Sequence, residues 1–289
     1  MSFAKQSKKF LMFGALPLFI FAVVLMVPFL QGLVLTFTNW DGFEVSSFVG
    51  LDNYILAFQD PGFWTTLSFT GSFVLVSIVL INVVAFGLAL LVTAKLKSSN
   101  IFRTFFFVPN LIGGVVLGVI WQFIFSGALV ELGKSFNIEF LKNSMLNDPG
   151  SAFWALMIVT VWQQSGYMMI IYITGLISIE TDVLEASRID GASAFRTLWA
   201  IKIPLMAQAF TISLFLTLRS GFMAYDVNLA LTGGGPYRST ELISMHIFQE
   251  AFGFGHIQTG QAKAIVMFVL VAVAALVQVV ISKRLEVQR

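Results

Sequence analysis

The chain has 289 residues, of which 57% are hydrophobic, 15% aromatic and only 11% charged, with a mean hydropathy of +0.88. A soluble globule is about 45–50% apolar and about 25% charged, and much of its surface must face water, so a soluble enzyme is excluded, as are a disordered and a fibrous chain. A net charge of +2 is too small for a nucleic-acid binder, and the absence of cysteine removes disulfides, thiolate metal sites and a cysteine nucleophile.

In chain order, residues 10–40, 61–94, 104–130, 149–179, 203–218 and 264–282 carry no charge. A bilayer span takes roughly 17–25 apolar residues. Five of these stretches are long enough, and 203–218 is once Arg219 is included. Lipid offers the backbone no hydrogen bonds, so each span must satisfy its own. Continuous runs such as Phe73-Val74-Leu75-Val76 and Ile265 to Leu270 lack the alternation of barrel strands. The pattern predicts an all-α membrane protein, a single transmembrane domain over 1–289. Its six transmembrane helices fall near 10–37, 66–94, 104–126, 152–178, 204–225 and 264–282. The first apolar run is too long for a cleaved signal peptide and no A-x-A site closes it, so it reads as a retained span.

Lys and Arg set the orientation. One side of a six-span chain holds Lys5, Lys8, Lys9, Lys95, Lys97, Arg103, Arg188, Arg196, Lys202, Lys283, Arg284 and Arg289; the other holds Lys134, Lys142, Arg238 and Lys263. Both termini are therefore expected to be cytoplasmic. The loop 38–65, with Asp41, Glu44, Asp52 and Asp60 and no cation, is expected outside.

In the fourth stretch Trp162, Gln163, Gln164 and Tyr167 place amides and aromatic rings at mid-membrane, where polar groups are costly. Amides can bond hydroxyls and rings can pack on C–H faces, so these residues are candidates for a substrate pathway. Interhelical hydrogen bonding is the alternative. Thr217, Arg219 and Ser220 are placed similarly in the fifth stretch. Arg219 must face protein or a cavity unless it snorkels outward, and Asp226 lies seven residues on, near the same helical face. Asn82 reads as packing glue rather than a ligand.

Between the fourth and fifth stretches, residues 179–203 mix charged and apolar side chains at helical spacing. Ile179, Val183, Leu184 and Ala186 or Ser187 share one face; Glu180, Asp182, Glu185 and Arg188 share the other. Gly191 interrupts, Ser193 caps a second short helix carrying Phe195, Leu198 and Trp199, and Pro204 fits the first turn of the fifth span. Such an L-shaped pair is either an interfacial helix on lipid or a knob docking into a cytoplasmic partner. Farther on, Thr232-Gly233-Gly234-Gly235-Pro236 reads as a turn.

The spacing Glu185-Ala186-Ser187, Gly191, Ile201-Lys202-Ile203-Pro204 resembles the EAA loop of membrane subunits of binding-protein-dependent ABC importers, EAA-x3-G-x9-I-x-L-P, with Ser187 and Ile203 as departures. Phe48-Val49-Gly50-Leu51-Asp52-Asn53-Tyr54 and Phe102 to Pro109 followed by Gly118 to Trp121 are similar to segments of the sugar permeases of that family, as is Thr232 to Pro236. The resemblance is to the first permease of the pair, without the long periplasmic insertion of the enterobacterial maltose permease.

It implies an ABC importer type I (MetI-like) architecture in a bacterial or archaeal cytoplasmic membrane, embedded in lipid. The implied partners are a second homologous permease, two ATP-binding subunits and an extracytoplasmic sugar-binding protein; the substrate is a carbohydrate. The chain itself is expected to bind no cofactor, because it has no Walker A loop; ATP and Mg are used by the partner ATPase. Glu185, Ala186, Ser187, Asp190, Gly191, Ile201 and Pro204 are the implied ATPase-coupling residues, and Thr232 to Pro236 the implied binding-protein contact. A stand-alone secondary transporter or channel for small polar solutes is the competing reading, and it expects carboxylates within the spans. The charge-free stretches contain none. A membrane-embedded enzyme would need a convergent catalytic set, and His246 and His256, ten residues apart, do not make one.

Overall fold

A computed structural model describes residues 13–45, 47–94 and 99–285. Of the cations used for orientation, Lys5, Lys8, Lys9, Lys95, Lys97 and Arg289 lie outside these residues. Among the described residues the chain is helical, apart from one isolated antiparallel bridge between Thr38 and Phe48.

In chain order the helices are α1 (Ala15–Leu35), α2 (Asp52–Gln59), α3 (Pro61–Thr93), α4 (Ser99–Leu111), α5 (Gly114–Ser135) and α6 (Pro149–Ile177). There follow α7 (Thr181–Ile189), α8 (Ala194–Leu205) and α9 (Ala207–Phe222), α10 (Asp226–Leu231), α11 (Ile243–Phe248) and α12 (Ile257–Leu285). Five of them, α1, α3, α5, α6 and α12, are long and apolar enough to cross a membrane; a sixth results if α8 and α9, bent by 70°, count as one. α1 buries none of its residues. A bare apolar helix of that length is a liability in water and ordinary in lipid.

Two boundaries differ from the sequence pattern. The stretch 104–126 is two helices, α4 and α5. Pro109 removes a backbone donor inside α4, and the chain extends at Gly113 (φ −58°, ψ 139°) before α5 starts. In the fifth stretch Pro204 does not open the span. It sits in the last turn of α8, the backbone leaves helical geometry at Met206 (φ −104°, ψ 18°), and α9 starts at Ala207.

The chain divides into two compact units. Of the described residues, one comprises those in 13–63 and 247–268, the other those in 64–246 and 269–285. In the first, Asn53 donates through Nδ2 to the carbonyls of Thr36 (2.9 Å) and Thr38 (2.8 Å), tying α2 to the end of α1. Lys263, 1% exposed, is neutralised by Asp60 (2.6 Å) and Glu250 (3.0 Å). A buried ammonium persists only when paired in this way.

The second unit has two apolar clusters. Phe73, Leu117, Leu156, Met157, Leu231 and Leu242 join α3, α5, α6 and α10. Ile81, Ala85, Met168, Met169, Tyr172 and Met206 join α3, α6 and the approach to α9. α6 starts cleanly because Asp148 caps it, its Oδ2 accepting from Gly150 N (3.0 Å) and Ser151 N (3.1 Å), with Pro149 in the first turn. Glycines set the closest approaches. A Cβ on Gly166 of α6 would lie 1.9 Å from the Phe106 carbonyl oxygen of α4, and Cβ atoms on Gly114 and Gly118 would lie 2.7 and 2.6 Å from Asp226 Cβ and Ala230 Cβ. α10 therefore rests on a small-x-x-x-small stripe of α5.

Candidate permeation site and coupling segment

Along α3 and α6 the two apolar clusters are separated by polar positions. On α3, Ser77 lies between Phe73 and Ile81; on α6, Thr160, Gln163 and Gln164 lie between Met157 and Met168. There a cavity of ≈ 360 Å³ opens, lined also by Thr217, Arg219 and Ser220 of α9 and by Tyr225 and Asp226. Its wall combines amides, hydroxyls and one charge of each sign with the apolar Ile81, Met223 and Val227, the mixture of apolar lining and a few placed polar groups that ligand pockets show. Arg219 and Asp226 both line it, and among the described residues no ion pair joins them. The cation and the carboxylate are thus both presented to the cavity.

Of the residues expected along a substrate pathway, Gln163, Gln164, Thr217, Arg219 and Ser220 come together here. Gln163 also donates to the Ile112 carbonyl (3.3 Å), which the break between α4 and α5 leaves free. Trp162 and Tyr167 do not line the cavity. Trp162 packs edge-on against the half-buried Trp121 at 5.5 Å, and Trp162 and Tyr167 are both exposed. A helical period puts position 162 on the opposite side from 160, 163 and 164; Tyr167 shares their side but lies one turn farther along α6, beyond the residues that line the cavity.

Beside the cavity Asn82 gathers three helices. Its Oδ1 accepts from Tyr172 Oη (2.6 Å) and Ser213 Oγ (2.5 Å); its Nδ2 donates to the Ile78 carbonyl (2.7 Å) and approaches Thr217 Oγ1 at 3.4 Å. Asn82 is thus packing glue, as the sequence indicates, and its partner Thr217 also faces the cavity.

Between α6 and α9 the chain forms two short helices, α7 and α8, joined at Gly191. α7 ends in a left-handed glycine, Gly191 at φ +72°. Gly191 N bonds the Arg188 carbonyl (3.1 Å) and Ala192 N the Ser187 carbonyl (3.0 Å), which is the Schellman closure. Ser193 then caps α8 through Arg196 N (3.3 Å). Ile179 and Ser187 are buried, and of Ala186 and Ser187 it is the serine that faces inward. Glu185, Ala186 and Asp190 are exposed, while Ile201 and Pro204 are half-buried in α8. The bend at Met206 borders a cavity of ≈ 610 Å³, lined by Thr174, Gly175 and Ser178 of α6 and by residues 204–209.

The Thr232–Pro236 turn is a braced base rather than a tip. Gly233 (φ +56°) and Gly234 (φ +82°) take left-handed geometry. Asn228, fully buried, donates to the Thr240 carbonyl (2.8 Å) and Thr232 Oγ1 (3.0 Å), and Thr240 Oγ1 lies 2.6 Å from the Gly235 carbonyl oxygen. The tip is Tyr237, 95% exposed, at φ +53° beside Arg238 at φ +60°. Two successive left-handed non-glycine residues are uncommon. Below them Arg238 grips the buried Glu241 with two bonds (2.6 and 2.9 Å), and His246 Nδ1 lies 3.7 Å from the same carboxylate. Burial alone would raise the Glu241 pKa, but the hydrogen bonds from His246 and Arg238 outweigh it and hold the carboxyl below its ordinary value. Pattern reading missed Tyr237 because φ is a property of the fold. The Gly114-x-x-x-Gly118 stripe and Asp226 beside Arg219 were visible as signals.

Residues 84–287 match the family described as "Binding-protein-dependent transport system inner membrane component". The chain is 41% identical over 286 residues to the "Probable starch degradation products transport system permease protein AmyD" of Thermoanaerobacterium thermosulfurigenes, covering 99% of this chain and 98% of that one. It is 32% identical over 276 residues to the "Multiple sugar-binding transport system permease protein MsmF" of Streptococcus mutans, covering 95% of each. Its fold is similar to that of a chain in a solved bacterial ABC transporter involved in the import of the acidic polysaccharide alginate, with a TM-score of 0.83 at 18% identity over 97% of this chain and 98% of that one.

Proposed function

The chain belongs to the binding-protein-dependent transport system inner membrane component family, and from that membership and the geometry above we propose that it is one permease subunit of an ATP-driven sugar importer. In this reading it spans a bacterial or archaeal cytoplasmic membrane six times with both termini inside. It forms half of the pathway with a second homologous permease, receives sugar from an extracytoplasmic binding protein and is driven by two ATPase subunits. The hydrolysis of ATP with Mg belongs to those partners; this chain supplies the lever and the path.

The observation that carries the reading is the juxtaposition, within one unit, of a polar cavity and a coupling turn on the same two helices. α6 and α9 line the cavity with Gln163, Gln164, Arg219 and Ser220, and the chain between them is the L at Gly191. Closure of the ATPase pair would pull on Glu185 and Asp190, which stand exposed where a partner can bond them. Gly191, with nothing within 4 Å of a built Cβ, leaves room for close backbone approach. Swinging α8 about the bend at Met206 would then tilt α9 and change which face the cavity opens to. On the other side, the braced loop ending in Tyr237 is the expected contact for the binding protein.

The test is co-purification followed by transport. A tagged chain should bring down an ATPase subunit, and proteoliposomes of the assembled complex should accumulate radiolabelled oligosaccharide only with ATP and the binding protein. Uptake that persists undiminished after nucleotide depletion would establish a stand-alone carrier instead.

A further inference from the structure

We infer that the cavity bounded by α3, α6 and α9 is a filter for uncharged saccharides, in which Asp226 determines specificity by turning away the acidic sugars that Arg219 alone would attract. This rests on the importer reading and deepens it by naming the charge of the substrate.

Four polar side chains at the cavity wall are left without protein partners. Gln164, Arg219, Ser220 and Asp226 all line it, and among the described residues none of their side chains makes a hydrogen bond or an ion pair. Their neighbours on the same wall differ. Thr160 donates to the Leu156 carbonyl (2.8 Å), Thr217 to the Ser213 carbonyl (2.8 Å) and Gln163 to the Ile112 carbonyl (3.3 Å). The wall thus divides into groups that serve the helices and groups that face a ligand.

The two charges are seated separately. Asp226 opens α10, where a Cβ on Gly114 of α5 would lie 2.7 Å from its own Cβ. The buried Asn228 ties the same helix to the Thr240 carbonyl (2.8 Å). Arg219 belongs to the last turn of α9, which Ser213 ties to Asn82 (2.5 Å). Between the two helices the backbone leaves helical geometry at Met223 (φ −93°, ψ 5°) and Tyr225 (φ −135°, ψ −61°). Each charge therefore stands on its own braced element, and no ion pair joins them.

Donor and acceptor chemistry then names the ligand. A guanidinium only donates, an ionised carboxylate only accepts, and a hydroxyl does both. Adjacent hydroxyls of a neutral sugar can accept from Arg219, donate to Asp226 and bond in either sense with Gln164 and Ser220, while Ile81, Met223 and Val227 offer apolar surface to C–H faces. An acidic sugar serves Arg219 but sets like charge against Asp226, and an amino sugar does the reverse; such juxtapositions are what suppress wrong partners. A zwitterion would meet both charges and leave Gln164 and Ser220 unused. Without Asp226 the wall would be cationic and would draw carboxylates.

The whole complex, permease pair with ATPase subunits, is placed in nanodiscs without binding protein, so that only the transmembrane site reads the sugar. Equilibrium binding is measured for a panel of neutral di- and trisaccharides, each beside its aldonate, the same sugar oxidised to a carboxylate at the reducing end. The native complex is expected to favour a neutral sugar over its aldonate by about tenfold or more. Asp226→Asn should abolish that preference by tightening the aldonate, and Arg219→Gln should enlarge it by weakening the aldonate further. A native complex that binds aldonates as tightly as neutral sugars, or binds neither, overturns the filter. So does a preference lost in Asp226→Asn only because the neutral sugar binds more weakly. ATP-driven uptake of the same neutral sugar, with binding protein, is measured on the native complex in proteoliposomes. Uptake alongside a preference that neither variant shifts sinks the filter and leaves the importer reading; the expected shifts without ATP-dependent uptake sink the importer reading and leave the filter.

Discussion

Asn82 shows how one side chain can hold three helices in a solvent that cannot help. Its amide meets groups from α3, α6 and α9, and removing it would break the bonds that Tyr172 and Ser213 make to its oxygen. An unsatisfied buried polar group costs about 1–3 kcal/mol, and lipid supplies no water to relieve it. Asn82→Ala is therefore expected to lower stability by about that amount in detergent thermal unfolding. Asn82→Ala with Ser213→Ala should cost less than the sum of the single changes, because the two share a bond. Additive losses would show that the network does not act as a unit. Glu241 makes the corresponding case outside the spans. Its pKa is lowered in the fold, so its contribution is fully present above the ordinary value of 4.5 and is lost as pH falls through the depressed value. Protease cleavage of the 232–242 loop should accordingly be flat near neutrality and rise in acid, and Glu241→Gln should flatten that profile.

At the scale of the element, glycine decides where helices meet and where they stop. A Cβ on Gly166 would overlap the Phe106 carbonyl, a backbone atom that no rotamer change can move. Gly166→Ala is expected to cost about 1–3 kcal/mol through overpacking, seen as a lower melting temperature. An unchanged melting temperature would mean that α4 does not seat on α6 at that point. Gly191 is a different case, since the space around it is open and only its φ of +72° demands glycine. Gly191→Val should leave membrane insertion and pair assembly intact while straining the turn by about 1–2 kcal/mol. Transport and binding-protein-stimulated ATPase activity should both fall; undiminished stimulation would remove the turn from the coupling route. The bend after Pro204 also belongs to this scale. The sequence offered Pro204 as the opening of a span, yet it sits in the last turn of α8 and the helix breaks two residues later, at Met206.

For the whole molecule, the exposed apolar surface and the arrangement of charge limit what it can be. α1 presents Leu16, Phe19 and Val24 with no protein cover, which only a lipid environment tolerates. The cavity holds Arg219 and Asp226 together, so its formal charge balances. Arg219→Ala is expected to reduce oligosaccharide uptake at least tenfold in proteoliposomes while leaving basal ATPase activity unchanged. Equal uptake by the variant would place the sugar elsewhere.

The sequence by itself determined that the chain is rich in apolar helices long enough to cross a membrane, and where the turn at Gly191 falls. Those features are written in local composition, in charge-free length and in a glycine at fixed spacing. It also marked Gln163, Gln164, Thr217, Arg219 and Ser220 as worth watching. Only the tertiary structure decided that these five share a wall and that Trp162 and Tyr167 do not, that α4 and α5 are separate, and that Tyr237 stands at the tip of a braced loop. The physical reason is the same in each case. Spans are uniformly apolar, so periodicity does not say which side faces protein; the direction of a side chain is set by packing between helices far apart in the chain, and backbone strain is held in place by partners that no local window contains.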